Sequence, residues 1–349
     1  MLPSKTGLER AFSKVDSSIT GVKGQPERID LVKLTERLAV STIAPTRAWP
    51  TRKFEFSALP ARYQAIPRIS RLPARSRAVF KETNSMFVRR DLTDTVPTPS
   101  GNMHFVKKGS GYPVVLLHPL GTSIWTWEGV IDSLSQNYTC YAFDMLGHGN
   151  SDKPTRHFNL PDYAQALDHA CQVLNIHRAH IVGNSVGAVL ATETAASFPE
   201  RVDKLVLVGC PVWNAFTAKE RLKEAASGYD AKGMPKPRTL KGLKESTTFA
   251  NPRQEWLDAN NQSRAKAGVW VGNLMESLAN YDIMSRLPRI KASSTLVLYG
   301  EVDRLRDGEE LLHNNIVNAS KVVLPGLGHI PQVEDPEAFL GALLPFLEA

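Results

Sequence analysis

Cysteine is scarce in this chain, with three copies in 349 residues. Cys140, Cys171 and Cys210 lie far apart in apolar segments, and no pair has the short spacing of metal ligands. An odd number of isolated cysteines cannot build a disulfide framework, so we expect buried free thiols in a reducing compartment. Because no other cluster of metal-binding side chains occurs, we expect no metal ion.

Long hydrophobic runs are also missing. No stretch of about 18 or more apolar residues occurs, so we expect no transmembrane helix. The residues after Met1 are mixed and polar, without the apolar segment of a secretory signal. No glycine-rich phosphate loop precedes a predicted helix, so we expect no nucleotide or other cofactor. The sequence therefore predicts a cytoplasmic protein without a membrane span.

The net charge of +7 is confined to one part of the chain. Residues 1–85 contain 16 Lys and Arg against 7 Asp and Glu, whereas residues 86–349 contain 26 against 28. The larger part is close to neutral, and it gives no support for a nucleic-acid partner.

Residues 1–85 also lack sustained hydrophobic patterning, and prolines recur among them. Between Glu55 and Glu82 the chain has five arginines, one lysine and no acid. Three interpretations are open: a disordered basic extension, an organellar transit peptide, or a stretch upstream of a native start at Met86. Transit peptides are poor in acids, so acidic residues such as Glu9 favour the other two interpretations.

From Met86 onward, short Val, Leu and Ile runs alternate with helical patterns. Such strands indicate a mostly parallel sheet flanked by helices, an α/β fold over residues 86–349. An antiparallel start is predicted at Phe87–Leu92 and Met103–Lys107, joined through Pro97–Gly101. The further predicted strands are Val114–His118, Thr139–Phe143, His180–Gly183, Lys204–Val208, Ser294–Tyr299 and Lys321–Leu324, and the predicted helices are Trp127–Leu134, Pro161–Leu174, Val186–Ser197 and Pro336–Leu347.

The segment 211–287 interrupts this alternation. It is polar and helix-prone and lies between two predicted core strands, so we expect a helical lid, or cap, over the site. Its aromatic residues are candidates for an apolar acyl pocket, although each is equally expected to bury the lid's own small core. The candidates for substrate contact are Trp213, Phe216, Trp256 and Trp270.

The most specific motif is Gly-Asn-Ser-Val-Gly at positions 183–187, between an apolar strand and a helical pattern. This strand–turn–helix context is the one that a nucleophile elbow requires. Glycines flank the turn because side chains there would collide with neighbouring elements. The motif predicts Ser185 as a nucleophile at a helix N-terminus, which favours developing negative charge.

A serine nucleophile needs a base, and the base needs an orienting acid. His329 follows the last predicted strand, beside glycines and before the terminal helix. Asp303 follows the preceding strand, at an edge where functional side chains gather in open parallel sheets. Glu301 and Asp307 are rival acids close by, and we prefer Asp303.

Backbone N–H groups are expected to hold the oxyanion of such a reaction. Val186 provides one, and the loop His118–Gly121 is expected to provide the other. Pro119 has no N–H, and Leu120 is the preferred donor. His118 resembles a possible base, but its position favours a ring that braces the loop from within.

Five stretches together resemble the α/β-hydrolase superfamily, in its lid-bearing branch, from about residue 86 to the end. They are His118–Gly121, Asp144–Asp152, the turn at Ser185, Pro199–Val202 and Gly328-His329. The resemblance implies an α/β-hydrolase fold with a lid and a triad in the chain order Ser, Asp, His. It also implies a structural, not catalytic, role for Asp144–Asp152.

The branch within that superfamily is less defined. Ser185 argues against epoxide hydrolases and haloalkane dehalogenases, which carry Asp there. Val182–Ser185 and Gly300–Arg304 resemble meta-cleavage-product hydrolases, which split C–C bonds in vinylogous diketones. The chain departs from them at Pro119–Thr122, where Ser-Gly-Pro-Gly is usual, and at Ile330, where Trp is usual. A carboxylesterase or a lactonase, such as an enol-lactone hydrolase, is therefore at least as well supported.

The resulting hypothesis is a serine hydrolase that cleaves an ester or lactone through an acyl-enzyme. Its catalytic residues are Ser185, His329 and Asp303, and its substrate is a small molecule with an apolar acyl part. The alternatives are a C–C bond hydrolase and a non-catalytic ligand-binding receptor on the same fold. The sequence does not indicate the oligomeric state.

Overall fold

The computed structural model describes residues 93–349. The predictions for residues 1–85 and for a strand at Phe87–Leu92 lie outside this range. Within it, eight strands form one sheet in the order β1-β2-β4-β3-β5-β6-β7-β8. The strands are β1 (Thr93–Thr98), β2 (Gly101–Lys108), β3 (Tyr112–Leu117), β4 (Tyr138–Phe143), β5 (Ala179–Asn184), β6 (Val202–Val208), β7 (Ser294–Gly300) and β8 (Ala319–Leu324).

Ten α-helices connect or cover these strands in the described range. They are α1 (Glu128–Leu134), α2 (Leu160–Val173), α3 (Val186–Ser197), α4 (Ala215–Ala226), α5 (Leu240–Glu245), α6 (Gln254–Ala267), α7 (Trp270–Ala279), α8 (Gly308–Asn315), α9 (Pro331–Glu334) and α10 (Pro336–Glu348). Short 3₁₀ turns cover Ile124–Trp127, Pro199–Arg201 and Leu287–Arg289. Asn159 caps α2 by accepting a hydrogen bond from the Asp162 N–H at 3.0 Å, and a serine, threonine, aspartate or asparagine is the usual residue there.

The sheet is mostly parallel. β2 pairs antiparallel with β1 and β4, and the pairs from β4-β3 through to β7-β8 are parallel. The carboxyl ends of the parallel strands therefore meet at one edge, where ligand-binding loops collect in such sheets. This arrangement confirms the predicted fold class.

Strand β3 shows how helices cover both faces of the sheet. Val115 and Leu117 pack into a cluster with residues of α2 and α3, whereas Val114 and Leu116 pack with residues of α1 and α10. Successive side chains of a strand point to opposite faces, so an uninterrupted apolar run is needed where both faces are buried.

The connection within the antiparallel start is shorter than the predicted Pro97–Gly101. β1 includes Pro97, which the sequence predicted in the connection, and Pro97 is paired with Asn102. Proline is tolerated there because β1 is an edge strand, whose outer side has no ladder hydrogen bond to lose. The second predicted strand, Met103–Lys107, lies within β2.

Four helices, α4 to α7, lie between core strands β6 and β7. They occupy the segment that the sequence predicted as a helical insertion. Helix α4 buries Ala218 alone among its twelve residues, which reflects its polar composition. Within residues 93–349, the helices are too short or too polar to cross a bilayer.

Candidate active site

Ser185 occupies a strained turn between β5 and α3. Its backbone has φ 57° and ψ −121°, and its N–H donates to the Val208 carbonyl at 2.8 Å. The turn is tight enough to require glycine on both sides. A Cβ on Gly183 would lie 2.2 Å from the Gly187 oxygen, and one on Gly187 would lie 2.3 Å from the Leu117 oxygen. The local sequence therefore dictates a turn that presents a hydroxyl at the sheet edge.

His329 and Asp303 form a direct pair. The His329 Nδ1 lies 2.7 Å from the Asp303 Oδ2, and the Asp303 side chain is fully buried. The rival acids lie elsewhere. Glu301 accepts from the Gly326 N–H at 2.8 Å, and Asp307 is exposed at the start of α8. Among the three candidates, Asp303 is the one in contact with the imidazole.

Gly209 leaves room for this pair. It has φ +54°, and a Cβ there would lie 2.7 Å from the His329 Nδ1 and 2.9 Å from the Asp303 Oδ2. The other Asp303 oxygen accepts from the Leu305 N–H at 2.9 Å. Because Oδ1 and Oδ2 each have a partner, the carboxylate orientation is fixed.

The helical insertion also contacts both loops of the pair. The His329 N–H donates to the Thr247 carbonyl, and the Arg304 N–H donates to the Thr247 hydroxyl, each at 2.9 Å. The Glu334 carboxylate accepts from the Gly328 N–H and, at 2.6 Å, from the Ala250 N–H. Burial raises the pKa of the Glu334 carboxyl, and its backbone hydrogen bonds oppose that shift. These contacts tie the insertion to the loop that holds the imidazole.

Ser185, Asp303 and His329 line one cavity of about 600 Å³. Across the described residues, the Ser185 hydroxyl makes no hydrogen bond to a protein group. A hydrogen bond between this hydroxyl and the His329 imidazole is therefore not formed in this structure. Such contacts are often long before substrate binds and tighten in the substrate complex. The structure thus brings the three predicted residues to one cavity, and their catalytic roles stay a prediction.

The loop after β3 is braced from within by His118. Its Nδ1 lies 2.8 Å from the Pro119 carbonyl, and its Nε2 accepts from the Met145 N–H at 3.0 Å. Burial lowers the pKa of His118, which is fully buried. Because its Nε2 accepts a hydrogen bond, that nitrogen carries no proton. The N–H groups of Leu120 and Val186 have no acceptor within residues 93–349. Both amides are thus available to a ligand.

Asp144 organises the neighbouring loop. Its Oδ2 lies 2.7 Å from the His104 Nδ1 and accepts from the Asn150 N–H, while its Oδ1 accepts from the Ile124 N–H at 3.0 Å. Burial raises the pKa of Asp144, but these partners outweigh burial and hold it below its usual value. The carboxylate is engaged by structural contacts, and it does not line the cavity of Ser185.

The four aromatic residues expected at the acyl pocket lie in different surroundings. Trp213 lines the cavity. Phe216 is 75% exposed, and Trp256 packs against the ring of Phe249 with centroids 4.9 Å apart. Trp270 packs on a glycine of the loop after β4. The last three lie away from the lining of the cavity, because their helices turn them toward solvent or toward other packing partners.

Positive charge is the main feature of the cavity that the sequence reasoning missed. Two carboxylates line it, Glu224 and Asp303, and the second is paired with the imidazole. Five cationic side chains also line it: Arg221, Lys236, Arg238, Arg264 and Arg304. Lys236 and Arg238 share one segment, but Arg221, Arg264 and Arg304 come from three other parts of the chain, so no local pattern in the sequence could have indicated that all five meet.

Two of these arginines, Arg238 and Arg264, have no carboxylate partner within the described residues. Burial and the nearby charges of Arg264 and Arg304 lower the pKa of Arg238 to about 10. Burial also lowers the pKa of Arg264, which the Tyr229 phenol partly offsets. Both groups stay protonated near neutral pH, so the cavity carries a positive potential. Among the described residues, no group of three or more His, Cys, Asp or Glu side chains is arranged to hold a metal.

Known proteins resemble this chain over different lengths. It is 43% identical over 100 residues to an uncharacterized protein of Mycobacterium tuberculosis, a stretch that covers 29% of each chain. It is 29% identical over 278 residues to a 2-hydroxy-6-oxo-2,4-heptadienoate hydrolase of Pseudomonas putida, covering 71% of this chain and 92% of that protein. The first match thus spans less than a third of its relative's length.

Solved structures show the same fold. The enol-lactonase of Burkholderia xenovorans superposes with a TM-score of 0.62 at 20% identity, covering 73% of this chain and all of that one. Esterases, lactonases and meta-cleavage hydrolases are among the similar proteins. The sequence model of the α/β-hydrolase fold matches residues 112–336, which include Ser185, Asp303 and His329. Because that match extends over more than half of the chain, the chain belongs to the α/β-hydrolase family.

Proposed function

We propose that the chain is a serine hydrolase of carboxylic esters or lactones, with Ser185 as nucleophile, His329 as base and Asp303 as orienting acid. One observation carries this proposal: the 2.7 Å contact between His329 and Asp303 in the cavity onto which the strained Ser185 turn opens. A receptor that only binds its ligand has no need for a buried carboxylate on an imidazole beside such a turn.

The reaction begins with attack of the Ser185 Oγ on the substrate carbonyl carbon. Asp303 occupies the Nδ1 side of the ring, so the Nε2 of His329 takes the serine proton. The same Nε2 then delivers that proton to the leaving alkoxide as the C–O bond breaks. A water molecule, deprotonated by Nε2, attacks the acyl-enzyme and releases the carboxylic acid, which restores the serine.

The developing oxyanion is held by the N–H groups of Leu120 and Val186. Val186 begins α3, whose N-terminus carries a partial positive charge. Leu120 follows Pro119, whose carbonyl contacts the His118 ring, and this contact fixes the loop before substrate arrives. Preorganised donors of this kind typically contribute about 10² to 10³ in rate each.

The insertion 211–287 acts as the cap of this site. Its residues line the cavity opposite the core loops, and Trp213 is the aromatic side chain among the four candidates that contacts bound substrate. Closure of such a segment excludes water and completes the site. The contacts of Thr247 with the His329 and Arg304 backbones couple the cap to the catalytic loops.

A fluorophosphonate probe tests the nucleophile directly. The probe should label the wild-type protein covalently at Ser185, and Ser185→Ala should lose both labelling and nearly all ester hydrolysis. Removal of a triad nucleophile typically costs on the order of 10⁶ in kcat. Circular dichroism should show an unchanged fold. Retention of more than about a tenth of the activity would place the nucleophile elsewhere, and absence of labelling in the wild type would favour a receptor.

The relative from Pseudomonas putida supports a second candidate, hydrolysis of a C–C bond in a dienoate, because that match extends over most of both chains. Parallel assays separate the two functions. Turnover of p-nitrophenyl esters without turnover of a 2-hydroxy-6-oxo-dienoate supports the ester hydrolase. A large excess of kcat/KM for the dienoate supports the C–C hydrolase.

A further inference from the structure

The cap presents guanidinium groups to the cavity without carboxylate partners. Glu224 contacts Arg221 at 3.1 Å and Arg304 at 3.8 Å, so its single charge is shared by two cations. Neither Arg238 nor Arg264 forms an ion pair with any residue of the described range. Buried or half-buried arginines are normally paired, because transfer of a charge from water is costly.

Arg264 lies beside the loop that is expected to hold the oxyanion. Its Nη1 and Cγ are each 3.2 Å from the position that a Cβ on Gly121 would occupy. Its Nε is buried and has no hydrogen-bond acceptor among the described groups. One turn earlier on α6, Asn260 is 2% exposed and lines the same cavity, and its Oδ1 is also unpartnered. The Arg264 Nε is thus a donor without an acceptor. The Asn260 Oδ1 is itself an acceptor, so Asn260 can contribute to binding of an anion only through its amide nitrogen.

Arg238 completes the arrangement from the segment before α5. Its Nη2 contacts the Ser246 hydroxyl and the Gly242 carbonyl, which fix the guanidinium plane. Its remaining nitrogens have no acceptor within residues 93–349. The nearby charges of Arg264 and Arg304 are among the causes that lower its pKa, so the arginines lie close enough to repel one another. An anion between them would remove that repulsion.

We propose that Arg238 and Arg264, with the Asn260 amide beside them, form a subsite for a carboxylate carried by the substrate. The preferred substrates are therefore esters or lactones of acid-bearing small molecules, not neutral acyl esters. This inference rests on the proposed ester-hydrolase function and defines its substrate class. A guanidinium presents paired N–H donors that match the two oxygens of a carboxylate. Because Arg264 borders Gly121, the carboxylate lies near the scissile carbonyl.

Matched ester pairs test the subsite. In the first pair the acid is on the acyl half: mono-p-nitrophenyl glutarate against p-nitrophenyl valerate. In the second it is on the leaving half: 4-acetoxybenzoate against 4-methylphenyl acetate. In at least one pair, the wild-type kcat/KM for the acid should exceed that for the neutral partner by about tenfold or more. The pair that shows the preference identifies the half of the substrate that carries the carboxylate.

The arginine variants decide whether these residues cause the preference. In Arg238→Gln and Arg264→Gln the ratio of acid to neutral kcat/KM should fall by about 10- to 100-fold, as expected for loss of a hydrogen bond to a charged group. Arg264→Lys should recover part of the ratio. Lys232→Gln removes an exposed cation of the same cap that does not line the cavity, and it should leave the ratio unchanged.

Two outcomes overturn the subsite: no preference for the acid in either pair, or an equal loss for acid and neutral esters in both arginine variants. Failure of the proposed function has a different signature, since no ester is then hydrolysed in a Ser185-dependent way. In that case calorimetry with Ser185→Ala decides. Binding of glutarate that is lost in Arg264→Gln supports the subsite, and equal binding of glutarate and neutral valeramide overturns it.

Discussion

The two walls of the cavity are built in different ways. The core wall carries Ser185, His329 and Asp303 on loops packed so closely that glycine is required beside them, as the 2.2 Å approach at Gly183 shows. The cap wall carries Arg221 on α4, which buries one of its twelve residues, Arg264 on α6, and Arg238 in the segment before α5. Tight packing fixes the positions of the core side chains. In the open, charged cap wall, by contrast, residues can be substituted without disturbing the sheet.

This contrast suggests a division of labour. We expect the core wall to determine which bond is attacked, because a nucleophile and its base must be held within a fraction of an ångström. We expect the cap wall to determine which molecule is selected, because its charge and shape would face the remainder of the substrate. Substitutions in the core wall should therefore reduce kcat for every substrate, and those in the cap wall should change the ranking of substrates.

The largest effect that distinguishes the walls is expected at the acid. Asp303→Asn should reduce kcat by roughly 10⁴, because an amide leaves the His329 ring in the wrong tautomer. Asp307→Asn is the control, since that carboxyl is exposed and lines a separate cavity. Steady-state kinetics on one neutral and one acidic ester measures both variants. A crippled Asp307→Asn beside a mild Asp303→Asn would show that the acid was assigned wrongly.

A smaller but sharper test compares two glycines that both have a positive φ. Gly209 and Gly233 have φ of +54° and +76°, so alanine at either position is strained. Only at Gly209 would the new Cβ crowd the pair, 2.7 Å from the His329 Nδ1; at Gly233 the nearest atom is a Val269 methyl 3.7 Å away. Gly209→Ala should lower kcat by about 100-fold, as a displacement of about 1 Å can do.

Gly233→Ala should lower the melting temperature about as much as Gly209→Ala does, because alanine is strained at both positions. Its kcat should stay close to that of the wild type. Thermal unfolding and kinetics on the same preparations separate the two effects. Equal kcat in both alanine variants would mean that the pair tolerates the displacement, and that the core wall is looser than its packing indicates.

The smallest effect is expected within the cap. Trp213→Ala should shift the relative kcat/KM between short and long acyl esters by about 1–3 kcal/mol, since Trp213 lines the cavity. Phe216→Ala, at a side chain 75% exposed, should keep the wild-type profile and is the matched control. If both variants keep that profile, specificity for acyl length must come from the core loops.

Local sequence was sufficient to predict three residues that line one cavity, Ser185, Asp303 and His329, because the constraints on their positions are local. The turn at Ser185 needs its flanking glycines within five residues, and a histidine after the last strand reaches the same edge by topology alone. The order of strands and helices followed from apolar runs and their spacing. The connection between the first two strands was predicted too long because proline is usual in connections, and only the pairing of β1 places Pro97 in an edge strand.

The character of the cavity was decided by tertiary structure. Arg221, Arg238, Arg264 and Arg304 are separated by 17 to 40 positions in the chain and meet only because the cap folds back over the sheet edge. Trp256 and Trp270 are aromatic, as residues that line an apolar pocket often are, but their side chains pack against other parts of the protein. A sequence specifies which side chains are present, whereas the direction of each side chain depends on how its helix packs, and packing is set by contacts distant in the chain.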